Sequence, residues 1–317
     1  MPFLDPVKLS PAFKDYLWGG TRLKEEYNKQ SDLAVLAESW ELSAHKDGPC
    51  SVLREGKSPM PFTGYLSEIG KAALGKRCEK YDYFPLLIKF IDAKKDLSVQ
   101  VHPTDEYALE HEGEYGKTEV WYVLDCDPGA CLFYGFRRDV TKEEYAAAIC
   151  ENRLAEILNR VPVEKGDVFF IPAGTVHAIG AGIRICEIQQ NSNTTYRVYD
   201  YGRRDAQGNL RPLHVEKALE VSDLKKSPTV QKPQDKEVTN LCVCQYFEVD
   251  RLRIHGTTDL KIDESSFVSL IVTEGCGTLV TPQKALSFRK GDSLFIPAQN
   301  QCFSLKGECE IIRSKVR

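Results

Sequence analysis

The sequence predicts a mainly β protein made of two jelly-roll or β-barrel units, with a few helices decorating the N-terminal one. Two observations predict this class: a segment that occurs twice, and many short apolar runs bounded by turn residues. At 317 residues the chain is long for a single core, so two domains are expected. We place them at 1–228 and 229–317, with the polar, proline-bearing stretch 224–238 as the linker.

The repeated segment occupies 163–173 and returns at 288–298, at an offset of 125 residues. Both copies contain Lys-Gly-Asp followed by an apolar run and Pro-Ala. Glycine tolerates a positive φ, so Lys-Gly-Asp predicts a turn. The apolar run predicts a short buried strand that ends at the proline. Two copies of this pattern predict two copies of one β unit.

The remaining elements follow from the same reasoning. Strands are expected in further apolar runs, at 84–92, 97–101, 120–124, 131–134, 266–273 and 277–281. A helix should begin at Thr141, where Thr-Lys-Glu-Glu forms a capping box, and extend to about Leu158. A short helix is expected at 104–112, after a proline.

Composition and charge exclude several function classes. The formal charge of -4 includes no basic stripe, which argues against a nucleic-acid partner. No apolar run approaches the roughly 20 residues of a membrane span, and the first residues lack a signal-peptide pattern. Most of the cysteines stand singly among apolar residues, and only Cys242 and Cys244 are close. Free thiols without a leader predict a cytoplasmic protein.

One strand carries polar side chains on a face that should be buried. Segment 97–102 alternates, so its apolar residues share one face while the other face carries Ser98, Gln100 and His102. Burying polar groups is unfavourable unless another interaction compensates for the lost water, and metal ligation inside a barrel would do so. His45, His111 and His255 lie in polar or ambiguous surroundings and are better explained by structural roles.

Two other segments supply the rest of a metal site. Lys117 and Glu119 share one strand face, and His177 follows the first repeat strand. Two imidazoles and one carboxylate suit a divalent ion, zinc as first choice, and leave positions open for water or substrate. We expect one ion between His102, Glu119 and His177, to which Gln100 could add an amide oxygen. From spacing alone, the alternative is a binding barrel with satisfied core histidines.

The second copy of the repeat serves as an internal control. At the offset of 125, His177 corresponds to Cys302, so the strand pattern survives while the ligand is lost. This favours one active unit and one inert unit.

Several segments in chain order resemble type I mannose-6-phosphate isomerase, a cupin family, in its short bacterial form. They read ESWELSAH from 38, PLLIKFIDA from 85, LSVQVHP from 97, GKTE from 116, PAGTVHAI from 172 and QQNSNTTYRVYDY from 189. The resemblance implies a cupin fold and conversion of mannose 6-phosphate to fructose 6-phosphate through a cis-enediol. The chain departs from the general cupin pattern because Gln-x-His replaces His-x-His, and because Glu119 comes 17 residues after His102.

The resemblance also implies roles for individual residues. It implies one zinc ion on Gln100, His102, Glu119 and His177, a catalytic arginine at Arg197, and a substrate pocket that contains Lys89, Ser98 and Lys117. The C-terminal domain lacks these groups.

Isomerisation needs a base, a group that stabilises the enediolate and an anchor for the phosphate. Arg197 suits enediolate or phosphate binding, although an ion pair with Asp200 is the alternative. Glu187, between His177 and Arg197, is our candidate acid/base, with Lys117 next.

Two rival functions predict different chemistry. An iron-dependent cupin dioxygenase would consume oxygen, and a non-catalytic sugar-binding cupin would bind its ligand without converting it. The partner expected on the isomerase hypothesis is a small sugar phosphate from carbohydrate metabolism, bound by a monomer or a weak homo-oligomer.

Overall fold

The computed structural model describes residues 3–204, 208–227, 230, 232–234 and 236–317. The expected linker at 224–238 therefore lies partly outside the described residues. The chain forms two compact units: the described residues within 1–14, 22–90 and 233–317, and those within 15–21 and 91–232. Most of residues 1–90 thus belong to the same unit as the C-terminal segment, so the units alternate along the chain. The domains 1–228 and 229–317 stay a prediction.

The strands before residue 94 are β1 (Val7–Ser10), β2 (Ala12–Lys14), β3 (Glu38–Leu42), β4 (Ser51–Val52), β5 (Met60–Pro61) and β6 (Leu86–Ala93). The next group is β7 (Val99–Val101), β8 (Glu119–Cys126), β9 (Cys131–Phe136), β10 (Leu158–Pro162), β11 (Val168–Ile171), β12 (His177–Ala178), β13 (Ile183–Gln190) and β14 (Tyr196–Tyr199). The last group is β15 (Val238–Val243), β16 (Phe247–Ile262), β17 (Val268–Val280), β18 (Ala285–Arg289), β19 (Ser293–Ile296) and β20 (Gln301–Val316).

The α-helices are α1 (Arg22–Glu26), α2 (Phe62–Ile69), α3 (Asp105–His111), α4 (Lys142–Cys150) and α5 (Val215–Val221). Single 3-10 turns occur at Lys71–Leu74, Lys76–Cys78 and Leu154–Glu156. Strands therefore outnumber helices throughout the described part of the chain, as the mainly β prediction requires.

The unit that contains the C-terminus is built on one large sheet. Among the described residues its order is β15-β16-β20-β17-β19-β1-β4-β5, with β18 paired to β17. The long strands β16, β17 and β20 pair over most of their length and bury an aliphatic core beneath them. We expected separate strands at 266–273 and 277–281, which was wrong. A bulge after Val272 and a positive φ of 74° at Gly275 let one strand continue through both.

The other unit contains a sheet of order β10-β9-β12-β7-β14. In a second sheet, β8 pairs with β11 on one side and with β13 on the other. Val99 and Val101 point away from the polar face of β7 into a core shared with α4 and α5. Burying one such valine contributes about 1.5–3 kcal/mol. This apolar anchoring orients the opposite face of β7, which confirms the predicted alternation.

The capping box at Thr141 is confirmed, because its hydroxyl accepts a hydrogen bond from the Glu144 amide at 3.1 Å. The helix is shorter than expected and ends at Cys150 instead of Leu158. Asn152 takes a φ of 55°, which an α-helix cannot continue through.

The two copies of the repeat form the same turn, each within its own unit. Gly166 and Gly291 both have a φ of 89°. The Asp167 carboxylate accepts from the Glu164 amide at 2.8 Å, and Asp292 accepts from the Arg289 amide at 2.8 Å. The following strands are β11 and β19, as predicted.

All eleven cysteines lie among the described residues, and all are free thiols. No helix in the described ranges combines the length and the apolarity needed to cross a bilayer.

Candidate metal and substrate site

Three neighbouring strands place Gln100, His177 and Arg197 in one row. Gln100 on β7 lies directly opposite His177 on β12 and opposite Arg197 on β14. Directly opposed residues of antiparallel strands point to the same face, so the row shares one face of this sheet. Ser98, two residues before Gln100, joins it and accepts a hydrogen bond from Arg197 Nε at 3.2 Å.

A second group of side chains comes from β8 and β13. Glu119 lies opposite Gln189, and Trp121 lies opposite Glu187. All four therefore point to one face, and contacts between their side chains and Lys117 show that Lys117 shares it.

His102, which directly follows β7, converges with Glu119 on β8 and His177 on β12. Their potential ligand atoms all lie within 4.8 Å of one another, and all three side chains are buried. Nε2 of His102 is 3.7 Å from Glu119 Oε2, and Nε2 of His177 is 3.4 Å from Glu119 Oε1. Two imidazole nitrogens and a carboxylate form a donor set for a divalent transition metal.

Main-chain carbonyls fix both imidazole rings. His102 Nδ1 is 2.9 Å from the Thr194 carbonyl oxygen, and His177 Nδ1 is 2.8 Å from that of Thr175. A carbonyl accepts only, so each Nδ1 carries the proton and each Nε2 presents its lone pair. Burial lowers the pKa of His177 from 6.5 to about 4, which keeps this ring neutral at pH 7, as ligation requires.

The Lys117 ammonium lies among the same ligand atoms. Its Nζ is 2.8 Å from Glu119 Oε2, 3.1 Å from His102 Nε2 and 4.0 Å from Glu187 Oε1. The ammonium thus balances the charge of the Glu119 carboxylate among these donors. Lys117 is only 4% exposed, so its charge acts in a medium that screens it weakly.

Glu187 points toward Lys117 and is held from the other side by Trp121. Trp121 Nε1 donates to Glu187 Oε2 at 2.9 Å, and the carboxylate is buried. The structure thus brings the candidate acid/base to the same group of side chains as Lys117 and Glu119.

The orientation of the Gln100 amide is not fixed by its contacts. Its Oε1 lies 3.5 Å from the Ser98 hydroxyl, and its Nε2 lies 3.4 Å from His177 Nε2. A half-turn of the amide would exchange these two atoms and present the oxygen instead. Gln100 as a metal ligand therefore stays a prediction.

Arg197 is anchored at both its main chain and its side chain. Its amide donates to His214 Nδ1 at 3.2 Å, and its guanidinium contacts Ser98 and the Pro212 carbonyl. Burial, and then the charge of Arg211, lowers the pKa of Arg197. The expected alternative partner, Asp200, binds Arg211 at 2.7 Å and also binds Arg203.

The structure places Lys89 in the other unit, on β6. There its Nζ lies 3.9 Å from Glu38 Oε2 and 5.0 Å from the centre of the Trp40 ring. Its substrate role stays a prediction. Of the histidines set aside from the sequence, His111 and His255 are exposed, and His45 Nδ1 accepts from the Asp47 amide at 3.1 Å.

Two family models and several relatives match this chain. The family model described as phosphomannose isomerase type I, catalytic domain, matches residues 7–122. The mannose-6-phosphate isomerase cupin domain matches residues 237–316. Mannose-6-phosphate isomerase ManA of Bacillus subtilis is 42% identical over 98% of both chains. The chain belongs to the type I mannose-6-phosphate isomerase family.

Solved mannose-6-phosphate isomerases share the fold. The crystal structure of the Bacillus subtilis enzyme is 34% identical, covers 98% of this chain and 99% of its own, and superposes with a TM-score of 0.90. A mannose 6-phosphate isomerase bound with zinc and yttrium is 18% identical over 99% of this chain and 100% of its own, with a TM-score of 0.80. The mainly β, cupin-type prediction is confirmed.

Sequence reasoning missed several groups that shape this candidate site. Trp121 and Gln189 lie on the strand face of Glu119 and Glu187, and simple alternation could have found both. The carbonyls that fix the imidazoles gave no signal, because every residue has one.

Proposed function

We propose that the chain interconverts mannose 6-phosphate and fructose 6-phosphate through a cis-enediol, with one divalent metal, zinc as first choice. The observation that carries this proposal is the buried group of His102, Glu119 and His177 with Lys117 beside it, in a chain of this family. His102, Glu119 and His177, with Gln100, would hold the ion. When bound, it would act as a Lewis acid that polarises sugar oxygens.

Glu187 is proposed to move the proton between C2 and C1. Its carboxylate has one oxygen tied to Trp121 and the other 4.0 Å from Lys117 Nζ. Such tethering restricts the carboxylate to one orientation, which a proton-transfer group needs. Lys117 is the second candidate, because its Nζ lies 4.0 Å from Glu187 Oε1 in the same buried group. To take the proton from carbon it would act as the neutral amine, because an ammonium has no free lone pair.

Arg197 is proposed to stabilise the enediolate or to hold the phosphate, with Ser98 orienting its guanidinium at 3.2 Å. A separate cavity of about 210 Å³ in the same unit is lined by residues 15–18 and by Arg203, Arg204 and Arg211. Asp200 already binds Arg203 and Arg211, so the proposal rests on Arg197 and not on this cavity.

A cytoplasmic location is part of this proposal, since eleven free thiols fit a reducing compartment. A monomer or a weak homo-oligomer is proposed as the assembly.

A coupled assay with mannose 6-phosphate and fructose 6-phosphate, run with metal analysis, tests the function. We expect turnover in both directions, loss of turnover with EDTA and recovery with zinc. Oxygen consumption with bound iron would indicate a dioxygenase, and binding without conversion would indicate a sugar-binding protein.

Arg197→Ala should keep its metal and lose turnover, and retained turnover would remove Arg197 from catalysis.

A further inference from the structure

Gln189 lies on the face of β13 that carries the proposed acid/base. It follows Glu187 by two residues and lies directly opposite Glu119 on β8. Side chains at such positions share a face, with Cβ atoms about 4.5–5.5 Å apart across the strands. Gln189 is 0% exposed. A buried amide thus lies beside the carboxylate of the metal group.

The orientation of this amide is set by its own hydrogen bonds. Nε2 of Gln189 donates to the Gln190 carbonyl at 2.8 Å and to the Ser192 carbonyl at 2.7 Å. Both acceptors are carbonyl oxygens, so the nitrogen and not the oxygen must face them. The usual ambiguity between the two ends of an amide is thereby removed, and Oε1 is directed away from the 190–192 segment.

Oε1 of Gln189 is buried and has no hydrogen-bond partner among the described residues. Buried polar atoms are nearly always hydrogen-bonded in folded proteins, because an unsatisfied one loses its water without a replacement. The neighbouring Gln190 shows the contrast. Its Oε1 accepts from the Thr118 amide at 2.9 Å and its Nε2 donates to Asp105 at 2.8 Å.

We infer that Gln189 is a specificity residue, whose Oε1 accepts a hydrogen bond from a non-reacting hydroxyl of the bound sugar phosphate. This inference rests on the proposed isomerase function. The acceptor selects an O–H donor, and hydroxyls are the donors that a sugar brings into a buried site. The reacting C1 and C2 oxygens would be held by the metal group and Lys117, which leaves the hydroxyls on C3, C4 and, in the open-chain form, C5. We assign the partner to C3 or C4, because these two carry a hydroxyl in both the ring and the open-chain sugar.

A site built to bind a hydroxyl strongly rejects the analogue that lacks it, because its own polar group is then left unpaired. Wild-type protein should therefore turn over one of 3-deoxy- and 4-deoxy-mannose 6-phosphate with at least about tenfold lower kcat/KM than mannose 6-phosphate. Gln189→Met has a side chain of similar volume without this acceptor. In this variant the ratio of kcat/KM between mannose 6-phosphate and the deoxy sugar should approach one.

The metal content of Gln189→Met should stay at the wild-type level. Gln190→Met is the matched control: its paired amide lies on the opposite strand face, so it should keep the discrimination whatever its stability. A merely structural role of Gln189 would lower turnover of all three sugars by one common factor, and equal ratios in wild type and Gln189→Met would overturn the inference.

A second measurement does not depend on the variant folding. In a crystal structure of the metal-loaded wild-type protein with mannitol 6-phosphate, which cannot isomerise, Gln189 Oε1 should lie at hydrogen-bonding distance from a hydroxyl oxygen. A separation beyond about 4 Å would refute the inference while leaving the isomerase proposal intact. Wild-type protein without isomerase activity would overturn the proposed function, and this inference with it.

Discussion

His102 and His177 turn the same ring nitrogen, Nε2, toward one buried carboxylate, and their ring centres lie 4.8 Å apart. The two histidines come from segments far apart in the chain, yet each is fixed by its own backbone contact. This relationship predicts that each ring contributes separately to ion affinity.

Replacing one ring should therefore empty the site. His177→Gln should lower zinc affinity at least about 100-fold and abolish turnover, since even outer-sphere changes cost about 10–100-fold. Metal analysis after dialysis against limiting zinc measures this. His255→Gln, at an exposed histidine of the other unit, is the control and should retain full metal content. Full zinc occupancy in His177→Gln would contradict the assignment.

Lys117 should contribute to turnover without contributing to metal binding. Lys117→Met removes a positive charge 2.8 Å from Glu119, so zinc affinity should be unchanged or higher while kcat falls about 100-fold or more. Titration with zinc and steady-state kinetics measure the two effects. Lys225→Met, at an exposed lysine paired with Asp139, should behave as wild type. A Lys117→Met variant with normal kcat would show that the ammonium is only structural.

Trp121 should act through Glu187. Trp121→Phe removes the hydrogen bond of 2.9 Å that orients the carboxylate, so we expect kcat to fall about tenfold with little change in KM or metal content. In a Glu187→Gln background the same change should have little further effect, because the two residues act as one unit. Tyr145→Phe, a buried aromatic on α4, should change only stability. Additive effects of Trp121→Phe and Glu187→Gln would refute the coupling.

The duplicated turn provides a matched pair of glycines. At Gly166 an added Cβ would meet nothing within 4 Å, so Gly166→Ala should cost only the backbone strain, about 1–2 kcal/mol. At Gly291 the Cβ would overlap the Tyr27 carbonyl, and Gly291→Ala should cost about 3–5 kcal/mol. Denaturant unfolding of both variants measures the difference. Equal losses would mean that the Tyr27 segment yields readily.

His214 should make stability depend on pH. Burial, and then the charges of Arg197 and Lys217, lower its pKa below the ordinary 6.5. As the pH falls through 6.5, His214 becomes protonated in the unfolded chain but stays neutral in the folded protein. The free energy of unfolding should therefore fall. His214→Asn keeps an acceptor for the Arg197 amide without this proton, and should lose less stability between pH 7 and pH 5.5. Identical pH slopes would exclude this contribution.

Local patterns in the sequence predicted most of the elements near the site. Alternation in 97–102 gave the correct faces of β7, and the repeat gave both Lys-Gly-Asp turns. The single strand β17 was missed because a bulge and a left-handed glycine resemble a turn in sequence. The short α4 was missed because apolar spacing continued beyond the residue whose backbone ends the helix.

The candidate site was predictable where its members alternate on a strand, as Ser98 and Gln100 do. Its three-dimensional pairings were not, because they depend on register between strands distant in the chain. No local pattern states that Gln189 lies opposite Glu119, or that Asp200 binds Arg203 and Arg211. The interleaving of the two compact units along the chain is likewise a long-range property.

The contacts from Thr175 and Thr194 to the imidazoles use main-chain oxygens, which every amino acid possesses. No single-codon change at these positions can delete the acceptors. Substitutions at 175 and 194 therefore leave these two hydrogen bonds in place, unless they displace the backbone. The side chains at 175 and 194 can therefore change without altering the orientation of the two imidazoles.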